Sequence, residues 1–138
     1  MSRYKSEQTA YSPLKKKYAP LWRLDTNTVT VTHFNADMQT EESKTYHTDF
    51  IRYHLHFSDS NCPDRLRRLV NDGRITQYLD DMERKVSEAI THQVELWKQT
   101  DSCYQKAVLS GDAEKMFGLE NCFVYMAREG VFEGMVYI

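Results

Sequence analysis

The sequence has little of what usually announces a chemistry. Its three cysteines, Cys62, Cys103 and Cys122, are widely spaced, form no Cys-x-x-Cys pair and are odd in number, which argues against a disulfide framework and for a reducing compartment. No stretch approaches the roughly 20 apolar residues of a membrane span, and "MSRYKSEQTAYSPLKKKYAPL" lacks the apolar run of a signal peptide. The expectation is a cytoplasmic protein with no membrane partner. Positive charge is not in excess either: 18 basic side chains face 20 acidic ones, a net of -2, so any contact with DNA or RNA would be local. No period of about 20 to 50 residues repeats. The chain also has no Gly-x-Ser-x-Gly elbow, no Gly-rich loop set to cradle phosphate and no cysteine in a nucleophile signature. These absences lead to a non-catalytic protein with no cofactor.

What is present is an architecture. A chain of 138 residues suits one compact domain with one core. Residues 1–20 are polar, lysine-bearing and broken by Pro13 and Pro20, which reads as a flexible or draped arm whose Tyr4, Tyr11 and Tyr18 remain free to dock. In "LWRLDTNTVTVTHF", Val29 and Val31 alternate with Thr28, Thr30 and Thr32, the period of a half-buried strand. "NADMQTEESK" reads as a connecting loop. Both periods fit "TYHTDFIRYHLHF", residues 45–57: Ile51, Tyr53, Leu55 and Phe57 share a face as a strand, while Phe50, Ile51, His54 and Leu55 cluster as a helix. Aromatic composition favours a strand pairing back on the first, so that residues 21–58 form a β-hairpin.

From Asn61 the signals are helical. Asn61 is placed to cap, Pro63 suits a first turn, Asp64 can return a hydrogen bond, and Gly73 offers a left-handed stop. Ile75, Leu79, Met82, Val86, Ala89, Ile90, Leu96 and Trp97 then keep the three-and-four spacing of a long central helix. Such a helix would run roughly 38 Å, longer than a small domain is wide, so part of its stripe needs cover. A brief helix from Asp101 or Ser102 to Leu109 closes at Gly111. Asp112 caps a last helix whose inward positions are Met116, Phe117, Phe123, Val124, Ala127 and Val131. The predicted fold is α+β: mainly an antiparallel bundle of three to four helices over residues 61–138, with a small N-terminal β-hairpin.

The end, "AREGVFEGMVYI", has two readings. On a helix, Gly130 and Gly134 lie one turn apart on one face, where another backbone could approach while Val131, Met135 and Val136 supply apolar area. Alternatively Gly130 stops the helix and the remainder is extended.

Each candidate chemistry has a bland counterpart. His54 and His56, with His47 and Cys62 nearby, would share a strand face as metal ligands, but no second ligand pair follows at a recognisable spacing; no metal is expected. Asp80, Asp81, Glu83 and Glu88 interleave with Arg84 and Lys85 as a solvated helix face. Glu120 falls close to the buried stripe, where it needs a partner. Arg65, Arg67, Arg68 and Arg74 surround the short helix, and Lys15, Lys16 and Lys17 add a second basic run.

Two segments, "LRRLVNDGRITQYLDDMERKV" and "AREGVFEGMVYI", resemble the TnpV family, small proteins carried by bacterial transposons and other integrated mobile elements. The matching places are Leu69, Gly73, Arg74, Tyr78, Leu79 and Asp80, then Ala127, Arg128, Glu129, Val131, Glu133 and Tyr137. The resemblance covers the C-terminal half and departs at Gly130 and Gly134, where the family pattern has larger residues. It implies a setting in mobile DNA and no enzymatic activity.

The expected function is therefore that of an interaction protein of a mobile genetic element. Its partner would be a protein, such as a nucleic-acid-processing effector complex of host defence that it inhibits in the manner of an anti-CRISPR protein. Asp80, Asp81, Glu83, Trp97 and Tyr125 are the candidate partner-binding residues. The alternative is a DNA-binding accessory factor of transposition using Arg65, Arg67, Arg68 and Arg74, and a third outcome is a homodimer whose long helices cover each other.

Overall fold

Ser12, Asp25 and Asn35 each turn the chain back by the same means. The Asp25 carboxylate accepts the N–H groups of Asn27 and Thr28 at 2.9 and 3.3 Å, and the Asn35 carbonyl oxygen accepts those of Asp37 and Met38 at 3.1 and 3.2 Å. The Ser12 hydroxyl accepts the N–H of Lys15 at 3.4 Å. Four residues after each acceptor the backbone is left-handed, at Lys16, Val29 and Gln39, with φ of 53°, 56° and 54°. A short side-chain oxygen thus stands in for a backbone acceptor at the start of each turn. Val29 is the costly member, since a β-branched residue disfavours positive φ; it is also 1% exposed, and burial of its side chain offsets the strain.

These turns link the strands in a computed structural model that describes residues 4–137, Val136 by its backbone alone. The strands are β1 (Tyr4–Lys5), β2 (Thr9–Ser12), β3 (Lys17–Pro20), β4 (Trp22–Asp25), β5 (Thr30–Asn35) and β6 (Thr40–Thr45). β2 and β3 form a two-stranded hairpin, and the others an antiparallel sheet in the order β1-β4-β5-β6. The expected strand at the Val/Thr alternation is β5. The expected arm instead carries β1, β2 and β3, and the expected loop "NADMQTEESK" holds a turn and most of β6. Met1 to Arg3 of that arm lie outside the described residues, as do Ile138 and the side chain of Val136.

Register sorts the sheet into two faces. Tyr4, Leu24, Val31 and Lys44 lie in one row across the four strands, and Lys5, Arg23, Thr32 and Ser43 in the next. Successive rows point to opposite faces. The first row buries Tyr4, Leu24 and Val31 to 2% exposure or less. The second row is polar, with the Thr32–Ser43 hydroxyl pair at 3.1 Å, and two positions along the strands Thr30 and Thr45 pair in the same way at 3.0 Å.

Residues 45–57 correct the strand reading. β6 ends at Thr45, and α1 (Asp49–Asn61) buries Phe50, Ile51, His54, Leu55 and Ser58. Those positions recur at three and four and so share one helix face, whereas the strand reading needed Tyr53 inside, and it is 45% exposed. Asn61 finishes this helix by donating its amide to the Phe57 carbonyl at 3.0 Å. It therefore does not cap α2 (Pro63–Asn71), which begins after Cys62 with Pro63 in the first turn. Gly73 closes α2 at φ 69° as expected, and a Cβ there would come within 2.7 Å of Trp22 Nε1. α2 lies against β1 and β4.

The predicted central helix is α3 (Ile75–Thr100), followed by α4 (Ser102–Ser110), α5 (Ala113–Val131) and a π-helical turn over Phe132–Val136. The end of the chain is thus helical through Gly130. The chain divides into two compact units, an N-terminal unit of residues 4–83 with Tyr137 and a C-terminal unit, Arg84–Val136. The fold is α+β as expected, but among the described residues it has five α-helices and a four-stranded sheet in place of a three- or four-helix bundle and a single hairpin.

Candidate functional site

Local chemistry fixes the C-terminal unit before packing does. Asp101 caps α4 by accepting the Tyr104 N–H at 2.8 Å, Gly111 ends it at φ 69°, and Asp112 caps α5 through the Lys115 N–H at 3.1 Å. The helices then bury a cluster of Val94, Tyr104, Phe123 and Ala127, with Ile90, Trp97, Met116 and Leu119 half-buried around it. The Phe123 ring lies 5.7 Å from Trp97 and 6.0 Å from Tyr104 in tilted pairs. Glu120 has the partners its position demanded, the Tyr104 hydroxyl at 2.8 Å and the Lys98 ammonium at 3.2 Å. The Tyr104 hydrogen bond first, then Lys98, holds its carboxyl below the usual range.

Beside this cluster the unit is open. A groove of about 520 Å³ is lined from α3 by Ala89, His92, Gln93 and Trp97, and from α5 and the π-helical turn by Met126, Ala127, Gly130, Val131, Gly134 and Met135. A Cβ added at Gly130 or Gly134 would meet nothing within 4 Å. The glycines therefore face empty space on one side of a continuous helical segment, and no other part of this chain fills it among the described residues. Away from the groove, Phe117 and Val124 point outward instead of inward, at 68% and 40% exposure, and Leu109 is 88% exposed.

The five residues expected to bind a partner separate. Trp97 lines the groove, and Tyr125 stands 66% exposed on α5. Asp80, Asp81 and Glu83 belong to the N-terminal unit and are half-buried. Asp80 accepts hydrogen bonds from Lys44 at 2.6 Å and from the Tyr46 hydroxyl at 2.8 Å. Partial burial alone would raise its carboxyl, but Lys44 and Tyr46 outweigh this and hold it low. Burial and that same carboxylate push Tyr46 up.

The arginine cluster is largely engaged. Arg67 pairs with Asp64 at 2.6 Å, Arg74 with Asp72 at 3.0 Å, and Arg65 donates to the Ser58 hydroxyl at 2.7 Å; Arg68 is exposed. Ser58 in turn lies 3.5 Å from His54 Nε2, which is 2.7 Å from the Tyr78 hydroxyl. His54 is 0% exposed, while His56, two residues along the same helix, points outward. This corrects the shared-face reading of the pair, which needed a strand. No group of three or more metal-ligating side chains occurs among the described residues, and none of their helices is long and apolar enough to cross a membrane.

Sequence reasoning placed Ala89 on the apolar stripe but missed Met126, His92 and Gln93 as groove residues. The signal for Met126 was available, since it precedes Ala127, already assigned to the inward face. It also missed the buried His54–Tyr78 pair, which no local pattern marks. Comparison with protein-family models, with curated protein sequences and with solved structures gives no match for this chain.

Proposed function

We propose that the protein is a non-catalytic interaction protein whose C-terminal unit receives an apolar helix of a partner protein in its groove. One observation carries this reading: a unit with a core cluster of four side chains leaves open a groove of about 520 Å³ between aromatic and methionine walls. Apolar area of this kind, presented at a concave surface, is where protein partners bury their anchors. The occupant is a helix because the lining includes Ala127, Gly130 and Gly134, whose small bulk admits a backbone at the 8–10 Å axial separation of packed helices. Met126 and Met135 adapt to its side chains.

The resemblance to transposon-encoded proteins supplies the setting: a product of a bacterial mobile element, acting on an effector complex of host defence as an anti-CRISPR-like inhibitor. Within that setting Tyr125 is a further candidate contact on the C-terminal unit, and Asp81 and Glu83 are separate candidates on the N-terminal unit, where Asp80 serves first to hold Lys44 and Tyr46. The alternative DNA contact through Arg65, Arg67, Arg68 and Arg74 is less favoured, because Arg65, Arg67 and Arg74 already have partners within the chain, which leaves Arg68.

Gly130→Leu tests the reading without endangering the fold, since the position is helical and open and loses the conformational cost of glycine, about 0.5–1 kcal/mol. Tagged wild-type protein should capture from host cytoplasm a protein that nuclease treatment does not release, and the folded Gly130→Leu variant should lose it. Retention of the same partner by the variant, or its release by nuclease, would contradict the proposal.

A further inference from the structure

The N-terminal unit gathers positive charge at a place that neither the arginine cluster nor the groove explains. Lys5 on β1, Lys15 in the β2–β3 turn, Lys17 on β3 and Arg23 on β4 line one cleft of about 200 Å³, together with Tyr18, Pro20 and a single acid, Glu41 on β6. Glu41 bonds to Lys15 and lies 3.3 Å from Arg23. The Lys15 hydrogen bond first holds its carboxyl low, against the raising effect of burial, and the charges of Lys15, Arg23 and Lys17 add to this. One carboxylate cannot offset four cations. With the chain at -2 overall, a cleft at +3 leaves -5 to everything else, so the charge is segregated by the fold.

Next to the cleft the hairpin shows two aromatic rings to water. Tyr11 and Tyr18 are opposite each other in the β2–β3 register, 5.4 Å apart edge to face, and 48% and 71% exposed. In the sheet, Arg23 is in register with Thr32 and, beyond it, Ser43, whose hydroxyls pair at 3.1 Å. Cations, hydroxyls and exposed rings therefore adjoin on one surface.

We propose that this surface binds single-stranded nucleic acid, with backbone phosphates in the cleft between Lys5, Lys17 and Arg23 and a base stacked on Tyr18. A strand supplies both things the surface lacks: several negative charges at close spacing and flat apolar faces for the rings. A duplex supplies the first but keeps its bases stacked inside, and an acidic peptide has no flat ring for Tyr18. Glu41 acts as a brake, occupying Lys15 and Arg23 until phosphate displaces it. This site is independent of the apolar groove and stands or falls separately.

Fluorescence anisotropy with labelled oligo-dT and oligo-U of about a dozen nucleotides, titrated with the full chain, tests the assignment. Binding is expected at low salt with a log–log salt slope of about -2 to -3, the value for three to four phosphates at roughly 0.7 each. Lys5→Gln with Lys17→Gln should weaken it about tenfold or more and flatten the slope. Tyr18→Ala should weaken it about fivefold or more with the slope unchanged, as loss of one stacked base requires. Glu41→Gln should tighten it, an outcome that misfolding cannot imitate. The proposal is overturned by absence of binding at low salt, by indifference to the lysine substitutions, by a duplex of equal length that binds more tightly, or by a polyglutamate peptide that binds as well.

Discussion

In the N-terminal unit Leu24, Ile51, Leu55, Leu66, Ile75 and Leu79 are all 0% exposed, whereas in the C-terminal unit Leu109, Phe117 and Tyr125 are 88%, 68% and 66% exposed. Both stretches are rich in apolar residues, so composition does not separate them. The difference lies in what each has to pack against. The sheet gives α2 a surface to cover, α1 lies against α2, and the layers close over one core. The C-terminal unit has the later part of α3, α4 and α5, of which α4 spans nine residues, and three helices of such unequal length leave sides uncovered. The first unit exposes large apolar side chains mainly at its turns and hairpin, Leu14, Tyr18 and Met38 among them, whereas the second exposes them along its helices.

The comparison breaks most sharply in the N-terminal core. Leu55→Ala should cost about 2–5 kcal/mol in urea denaturation, by lost burial and a residual cavity. An effect under about 1 kcal/mol would mean that this unit is as loosely packed as the other. The two helix-ending glycines give a finer contrast, since Gly73 and Gly111 share φ 69° but only Gly73 has a neighbour, Trp22. Alanine at Gly111 should cost about 1–2 kcal/mol for the left-handed backbone alone, and alanine at Gly73 distinctly more; equal losses would show that Trp22 moves aside freely.

Smaller still, Asp112→Ala should lower stability by about 1 kcal/mol through loss of the α5 cap, read as a shift in the urea midpoint. If the C-terminal unit is held mainly by such local devices, this loss should speed amide exchange throughout α5. The smallest effect is with acid. Asp80 and Glu120 both have folded carboxyls depressed below the ordinary value, so each contributes stability that is complete above the unfolded pKa near 4 and is lost as pH falls through the folded value. With both carboxylates partly in water, each contribution is at most about 1 kcal/mol. Asp80→Asn and Glu120→Gln should each flatten the fall in stability between pH 5 and pH 3 by that amount, one in each unit.

The helices after residue 61 were legible because three-and-four periodicity, Asp101, Asp112, Gly73 and Gly111 all marked the same boundaries. Of the strands, β5 was legible from its Val/Thr alternation, but most of the others were not, because the first 72 residues contain no glycine to mark their turns. β6 reads "TEESKT" with every residue exposed, so it has no alternation to detect. α1 was misread because aromatic content was allowed to outweigh spacing, although Phe50, Ile51, His54 and Leu55 already showed the helical face. Of the groove, Trp97 and the glycine pair were visible in the sequence. The basic cleft was not, since Lys5, Lys17, Arg23 and Glu41 meet only after four strands have taken their places.

The shared construction of the hairpin turns has a wider consequence. With no glycine at Lys16, Val29 or Gln39 to favour the left-handed kink, alignment of each strand with the next is entrusted to the oxygen of Ser12, Asp25 or Asn35. Displacement of one strand by a single residue would exchange its dry side for its wet one, carrying Leu24 or Val31 outward and drawing Arg23 or Thr32 in. Asp25 and Asn35 thereby decide which surface of the four-stranded sheet becomes oily core and which stays bathed in solvent and open to visitors, while Ser12 sets the separate β2–β3 hairpin.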